Sequence, residues 1–240
     1  MSDSNRHFRF SSRSMEIEPF RVVQVLSRAN QLSREGREII HLSAGEPDFP
    51  TASPIVEAGI KALSDGATGY SDVAGIPQLR EALSDFYAEE YGLDISPRRI
   101  LVTPGASGGL LLICALLLNP GDGMLLTDPG YPCNRHFIRL LDAVAQLVPV
   151  SAEERFQMTG RLLSEHWQEN TVGTIVASPS NPTGTALNKK ELREISSTVR
   201  ALGGNLVVDE IYHGLGFEAR FPSILEIDSE AFVLNSFSKY

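Results

Sequence analysis

From residue 100 onward the chain alternates short apolar runs with stretches of helix length. The runs cover residues 100–103, 124–127, 145–150, 174–177, 205–209 and 231–235, and amphipathic stretches at 134–141, 159–167 and 188–202 lie between them. Runs that are apolar on both faces and separated by helices predict a mostly parallel sheet covered by helices on both sides, an α/β fold. Upstream, the pattern is different. Residues 18–32 carry a mixed helical pattern that ends at a turn around Gly36. Ser53 before Pro54 reads as a cap and first-turn proline, with Ile55, Ala58, Gly59 and Ala62 on one face as far as Gly66. Residues 75–91 repeat that arrangement, with Leu79, Leu83, Phe86 and Tyr87 as the buried stripe. Residues 1–45 therefore read as an arm without a core of its own, and 46–240 as one large domain.

At 240 residues, with 42% hydrophobic and 21% charged positions, the chain is long enough to bury a substantial core. Thirty acidic against 21 basic residues leave a formal charge of −9 with no basic block, which argues against nucleic acid or an anionic membrane as partner and for a small-molecule ligand. The longest apolar run, 110–118, is nine residues, too short for the ~20 a membrane span needs. The first 14 residues are rich in Ser and Arg without an apolar stretch, so no secretory leader is expected. Cys114 and Cys133 are the only cysteines and lack metal-ligand spacing; a reducing cytoplasm fits, without disulfides or zinc.

Ligands of parallel sheets bind at the carboxyl ends of the strands, so the residues just past each apolar run are the candidates for chemistry. Pro104-Gly105-Ala106-Ser107-Gly108-Gly109 opens into an apolar helix, which makes it a phosphate cradle or a plain tight turn. Tyr131, set between Pro129-Gly130 and Pro132, can lie flat on a ring or simply pack a loop. Asn181, between Pro179 and Pro182, can bind a ligand or serve as a turn residue. Asp209 ends a buried strand and needs a partner, a cation of the ligand or else an arginine or helix N-terminus. Of four lysines, Lys61, Lys189 and Lys190 fall on solvent faces of helices, whereas Lys239 alone ends a core strand. A desolvated lysine there is a nucleophilic amine able to condense with an aldehyde. Together a phosphate cradle at Ala106 and Ser107, a stacking Tyr131, hydrogen-bonding Asn181 and Tyr212, an acid at Asp209 and an amine at Lys239 describe pyridoxal phosphate.

The order of these motifs resembles the class I/II aminotransferases of fold type I, relatives of aspartate aminotransferase. Ser43-Ala44-Gly45-Glu46-Pro47-Asp48-Phe49, and Tyr70-Ser71-Asp72-Val73-Ala74-Gly75 followed by Leu79-Arg80, add to the match. The resemblance implies a pyridoxal 5'-phosphate enzyme that moves an amino group between an amino acid and a 2-oxo acid. It implies that Lys239 bonds the cofactor aldehyde, that Asp209 pairs with the pyridine nitrogen and that Asn181 and Tyr212 bind the ring hydroxyl. Tyr131 would stack on the ring, Ala106, Ser107 and Ser236 would hold phosphate, Tyr70 would reach the phosphate of a neighbouring subunit in a homodimer, and Gly45 would lie near the substrate carboxylate. The family pattern continues past the lysine with a glycine and arginine motif and the arginine that clamps the substrate carboxylate. Neither follows in a chain ending at Tyr240, so it resembles most of the large domain without the remainder of the small one, and the 240-residue chain alone is expected to be inactive.

Other readings compete. Lyase or decarboxylase chemistry is open to the same cofactor. Gly105-Ala106-Ser107-Gly108-Gly109 fits the pattern G-x-S-x-G, which with Asp209 and His213 suggests a hydrolase at Ser107, although Asp209 and His213 stand only four apart. A non-catalytic binding or dimerising fragment is the third reading. Trp167, His166, His41, His136 and Cys114 are assigned to packing.

Overall fold

The computed structural model describes residues 9–47, 49–217 and 220–239. Part of the arm at residues 1–8, Asp48 of the Gly45 motif and the terminal Tyr240 lie outside the described residues.

Five parallel strands form one sheet: β1 (Gly123–Asp128), β2 (Val144–Pro149), β3 (Thr171–Ala177), β4 (Asn205–Asp209) and β5 (Phe232–Leu234), in the order β2-β1-β3-β4-β5. The chain leaves β1 outward to β2 and returns across it to β3. The β1/β3 boundary is thus the switch point at which a crevice opens above the carboxyl edge.

Side chains alternate across the sheet, as the period of two demands. Leu125, Val148, Val176, Leu206 and Val208 face the helices α6 (Gly160–His166) and α7 (Lys189–Ala201), meeting Leu162, Leu163, Leu192, Ile195 and Val199. Met124, Leu126, Ile175, Val207 and Leu234 face α4 (Gly105–Leu117) and α5 (Asn134–Leu140), meeting Leu110, Cys114 and Ile138. Each fully buried aliphatic contributes ~1.5–3 kcal/mol, so these two layers dominate the stability. Gly109 lets α4 lie close to β5, since a Cβ there would stand 2.9 Å from Leu234 Cδ2. Helices on both faces of a parallel sheet are what the apolar runs predict.

Helix ends follow local chemistry. Thr159 caps α6 through its hydroxyl, and Asn188 with Glu191 forms a reciprocal capping box on α7. Gly92, at φ 69°, terminates α3 (Pro77–Tyr91). Ser53 is a departure: it is the first residue of α2 (Ser53–Ser64), Ala52 precedes it as the cap, and no side chain caps that helix.

Three other expectations are corrected. Residues 100–103 form no strand. They are extended at Ile100, and the Val102 N–H goes to the Ala74 carbonyl rather than into a ladder, because no strand among the described residues lies beside them. Edge strand β2 is not apolar-covered on both faces, and Val144 and Leu147 remain exposed. Lys239 does not end a core strand: β5 closes at Leu234, and the chain bends at Phe237 and Ser238 before Lys239. Upstream, α1 (Arg21–Arg34) and α2 bury none of their residues, so the apolar side chains of Ile55, Ile60 and Leu63 are exposed. The stripe on α3 is graded: Tyr87 is buried, Leu79 and Leu83 are half-buried, and Phe86 is exposed.

Candidate functional site

The carboxyl edge gathers four of the expected residues. Asp209, the last residue of β4, stands in register with Ala177 of β3 and Leu234 of β5. One carboxylate oxygen accepts the Ile211 N–H at 3.1 Å, and no cation pairs with the acid among the described residues. Enclosure raises its pKa to about 6, against the smaller pull of that N–H. The neighbouring turn presents Tyr212, whose phenol oxygen accepts the Asn181 amide at 3.2 Å.

Asn181 is held by its surroundings. Ser178 N–H donates to the Asp209 carbonyl, Ser180 N–H to Thr185, and Gly184 N–H to Ser180. Gln157, 3% exposed, donates to the carbonyls of Ala177 and Thr185 at 3.2 and 2.7 Å and fixes the same turn from below. The sequence reading missed Gln157, since nothing in its local pattern distinguishes it from a loop glutamine.

Tyr131 follows β1 and is half-buried. Burial pushes its phenol pKa upward, and Cys133, Tyr212 and Asp209 push in the same direction. Phe20 of the arm meets it edge-on, with ring centres 6.0 Å apart at 81°. The arm is fastened across α5 by Glu16, which takes two hydrogen bonds from Arg139 at 2.6 and 2.7 Å, and by Arg13 on Asp142. No sequence signal pointed to Phe20.

At the switch point a cavity of about 160 Å³ opens between the β1 and β3 ends, lined by Tyr131, Ser180 and Asn181 among others. Asn134 lines it as well, with its buried side-chain oxygen unpartnered among the described residues.

The first turn of α4 carries Ala106 and Ser107. Gly105 takes φ 73° and gives its N–H to the Thr103 carbonyl, Pro104 is the cap residue, and no side chain among the described residues accepts from the N–H groups of Ala106, Ser107 and Gly108. These N–H groups and the helix dipole form an electropositive end free for an anion. Ser236 shares a hydrogen bond with Ser238 Oγ at 2.8 Å and accepts the Ser238 N–H. Lys239 Nζ donates to the Gly45 carbonyl at 2.8 Å, which joins the end of the described chain to the turn before α2. Neither Ser236 nor Lys239 hydrogen-bonds to the Asp209 cluster. Tyr70 is fully exposed and is not brought to the others by this chain.

The hydrolase geometry does not form. The ring nitrogens of His213 are bound to Tyr91 and to the Ser178 carbonyl, Ser107 is exposed, and Asp209 bonds backbone instead of imidazole. Trp167 and His166 are structural, as expected: Trp167 packs on the α6/α7 layer and His166 bonds the Leu162 carbonyl. No helix among the described residues is long and apolar enough to cross a membrane.

A (5-formylfuran-3-yl)methyl phosphate transaminase of Methanocaldococcus jannaschii is 38% identical over 95% of the chain and 60% of its own length. A valine–pyruvate aminotransferase of Mycobacterium tuberculosis is 35% identical over 93% of the chain and 58% of its own length. The solved structure of Thermus thermophilus aspartate aminotransferase with maleate superposes with a TM-score of 0.92 at 31% identity, covering 97% of this chain and 61% of that one. The chain thus spans about 60% of the length of the relatives it matches. The profile of the family "Aminotransferase class I and II" matches residues 37–240, and on that match and these identities the chain belongs to the class I and II aminotransferases.

Proposed function

We propose that the protein is a pyridoxal 5'-phosphate-dependent aminotransferase acting on an amino acid and a 2-oxo acid. The observation that carries the reading is Asp209, an enclosed acid at the end of β4 without a cation among the described residues, three positions before the Tyr212 that Asn181 bonds. An enclosed carboxylate is costly unless paired, and a protonated pyridine nitrogen supplies the missing charge. The uncapped end of α4 offers N–H groups to a phosphate, so the residues present fit the cofactor.

In this reading Ala106, Ser107 and Ser236 hold the phosphate, Tyr131 covers the ring face and Asn181 with Tyr212 binds the ring hydroxyl. Lys239 is the amine that bonds the aldehyde. When bound, the group supplies a carbonyl carbon for condensation with amines and a conjugated ring that accepts electrons from the substrate α-carbon. The remaining work falls to the chain. Asp209 stays anionic against the ring nitrogen. Lys239 Nζ would take the proton from the substrate α-carbon as general base and hold it as an ammonium. Gly45, whose carbonyl already meets Lys239 Nζ, keeps its backbone near the substrate carboxylate.

Residues 46–240 serve in this reading as the large cofactor domain, and 1–45 as an arm with part of a smaller domain. The full exposure of Tyr70 suits a side chain that completes the phosphate site of a second subunit in a homodimer. Two free thiols suit a cytoplasmic enzyme.

The test is borohydride reduction in the presence of pyridoxal phosphate, followed by peptide mass mapping. The reading expects the label on Lys239; a label on Lys61, Lys189 or Lys190, or none, refutes it.

A further inference from the structure

Behind the residues that would touch a cofactor, one buried side chain ties three elements together. His213 is 5% exposed. Its Nε2 lies 3.0 Å from the Ser178 carbonyl oxygen, and because a carbonyl only accepts, Nε2 carries the proton. Nδ1 is then a lone-pair acceptor, and the Tyr91 hydroxyl donates to it at 2.9 Å. Both nitrogens are satisfied in the neutral ring. The groups facing it are Tyr91 from the end of α3, Glu210 from its own turn with Oε2 3.6 Å from Nδ1, and the Phe221 ring at 5.8 Å. Arg220 lies over the Tyr91 ring at 4.6 Å, and it and Glu226 act on His213 in opposite directions from farther away. Burial holds the imidazole pKa down at about 4, so the ring stays neutral through the working range.

What these bonds connect is specific. Ser178 is the first residue past β3, three before Asn181, and His213 directly follows Tyr212. One imidazole therefore spans the two turns whose tips meet in the Asn181–Tyr212 bond, and Tyr91 holds that imidazole from α3.

We propose that His213 is a positioning residue: as the Nε2–H tautomer, oriented by the Tyr91 hydroxyl, it fixes the separation of the β3 and β4 turns and so the Asn181–Tyr212 pair. The proposal deepens the aminotransferase reading and takes its ligand, pyridoxal phosphate, from it.

Two readouts on the purified protein test it. The first needs no cofactor: amide hydrogen exchange of residues 178–185 and 209–213. His213→Leu should raise it about tenfold, one hydrogen bond's worth, with β1 and β2 unchanged. The second is the pH midpoint of the visible absorbance of bound pyridoxal phosphate, which should move by half a unit or more in His213→Leu. His213→Gln, which keeps a donor for Ser178 and an acceptor for Tyr91, should restore both. If His213→Leu does not fold, Tyr91→Phe decides, with a smaller rise in exchange confined to the same turns. Unchanged exchange in these turns, a rise spread over the whole sheet, or an unmoved midpoint in a variant that binds the cofactor overturns the proposal. Wild-type protein that shows no pyridoxal phosphate absorbance, while His213→Leu loosens the two turns, refutes the functional reading and leaves the positioning role standing.

Discussion

The side-chain amide of Asn181 donates to the phenol oxygen of Tyr212 at 3.2 Å, so two residues 31 positions apart in the chain, on turns after different strands, form one polar unit. Parallel pairing of β3 with β4 brings those turns together, and the register that sets Ala177 opposite Asp209 aligns them.

Tyr212→Phe removes the acceptor and leaves Asn181 unpaired. A lost hydrogen bond of about 1–1.5 kcal/mol corresponds to roughly tenfold weaker pyridoxal phosphate binding, measurable by absorbance titration. Unchanged affinity would separate this pair from the ligand.

Asp209 gives a pH-dependent prediction with opposite signs for the empty and loaded protein. In the empty protein its pKa is raised from 3.8 to about 6, so the folded state holds a proton that the unfolded state releases. Its contribution to stability therefore falls as pH rises from about 4 to about 6 and stays lost above that. Asp209→Asn should raise the Tm of empty protein at pH 7 relative to wild type. With pyridoxal phosphate bound the ranking should reverse, because the acid then faces a cation.

Glu210 lies 1% exposed, with one oxygen bonded to the Ser223 hydroxyl and the Ile224 N–H and the other without a hydrogen bond among the described residues. Burial raises its pKa from 4.5 to about 8, so its stability contribution declines between those values as pH climbs. Glu210→Gln should be close to neutral at pH 5 and stabilising at pH 9, read as a Tm difference between the two pH values. The same difference at both would contradict a protonated acid at neutral pH.

Ile138 on α5 is fully buried against the sheet. Ile138→Ala should cost about 2–5 kcal/mol in urea unfolding. Thr159→Ala, which removes the α6 cap, should cost about 1 kcal/mol.

Much of this was legible in the residues because local chemistry enforces it. Thr159 and Asn188 announce helix starts, and the glycine-rich step at Gly105 opens α4 as the turn chemistry requires. Ser53 misled because a hydroxyl before proline serves as a cap or as a first helical residue equally well, and only the backbone path chooses. Residues 100–103 misled for another reason: an apolar extended run becomes a strand only when a neighbour completes its ladder. The chain by itself determined five of the six expected strands and the amphipathic helices between them, because these depend on neighbours within a few positions. Only the tertiary structure decided that Asn181 meets Tyr212, that Phe20 reaches Tyr131, that Lys239 returns to Gly45 and that His213 is spent on Ser178 and Tyr91. Those contacts depend on strand order and register across the sheet, which no local pattern encodes.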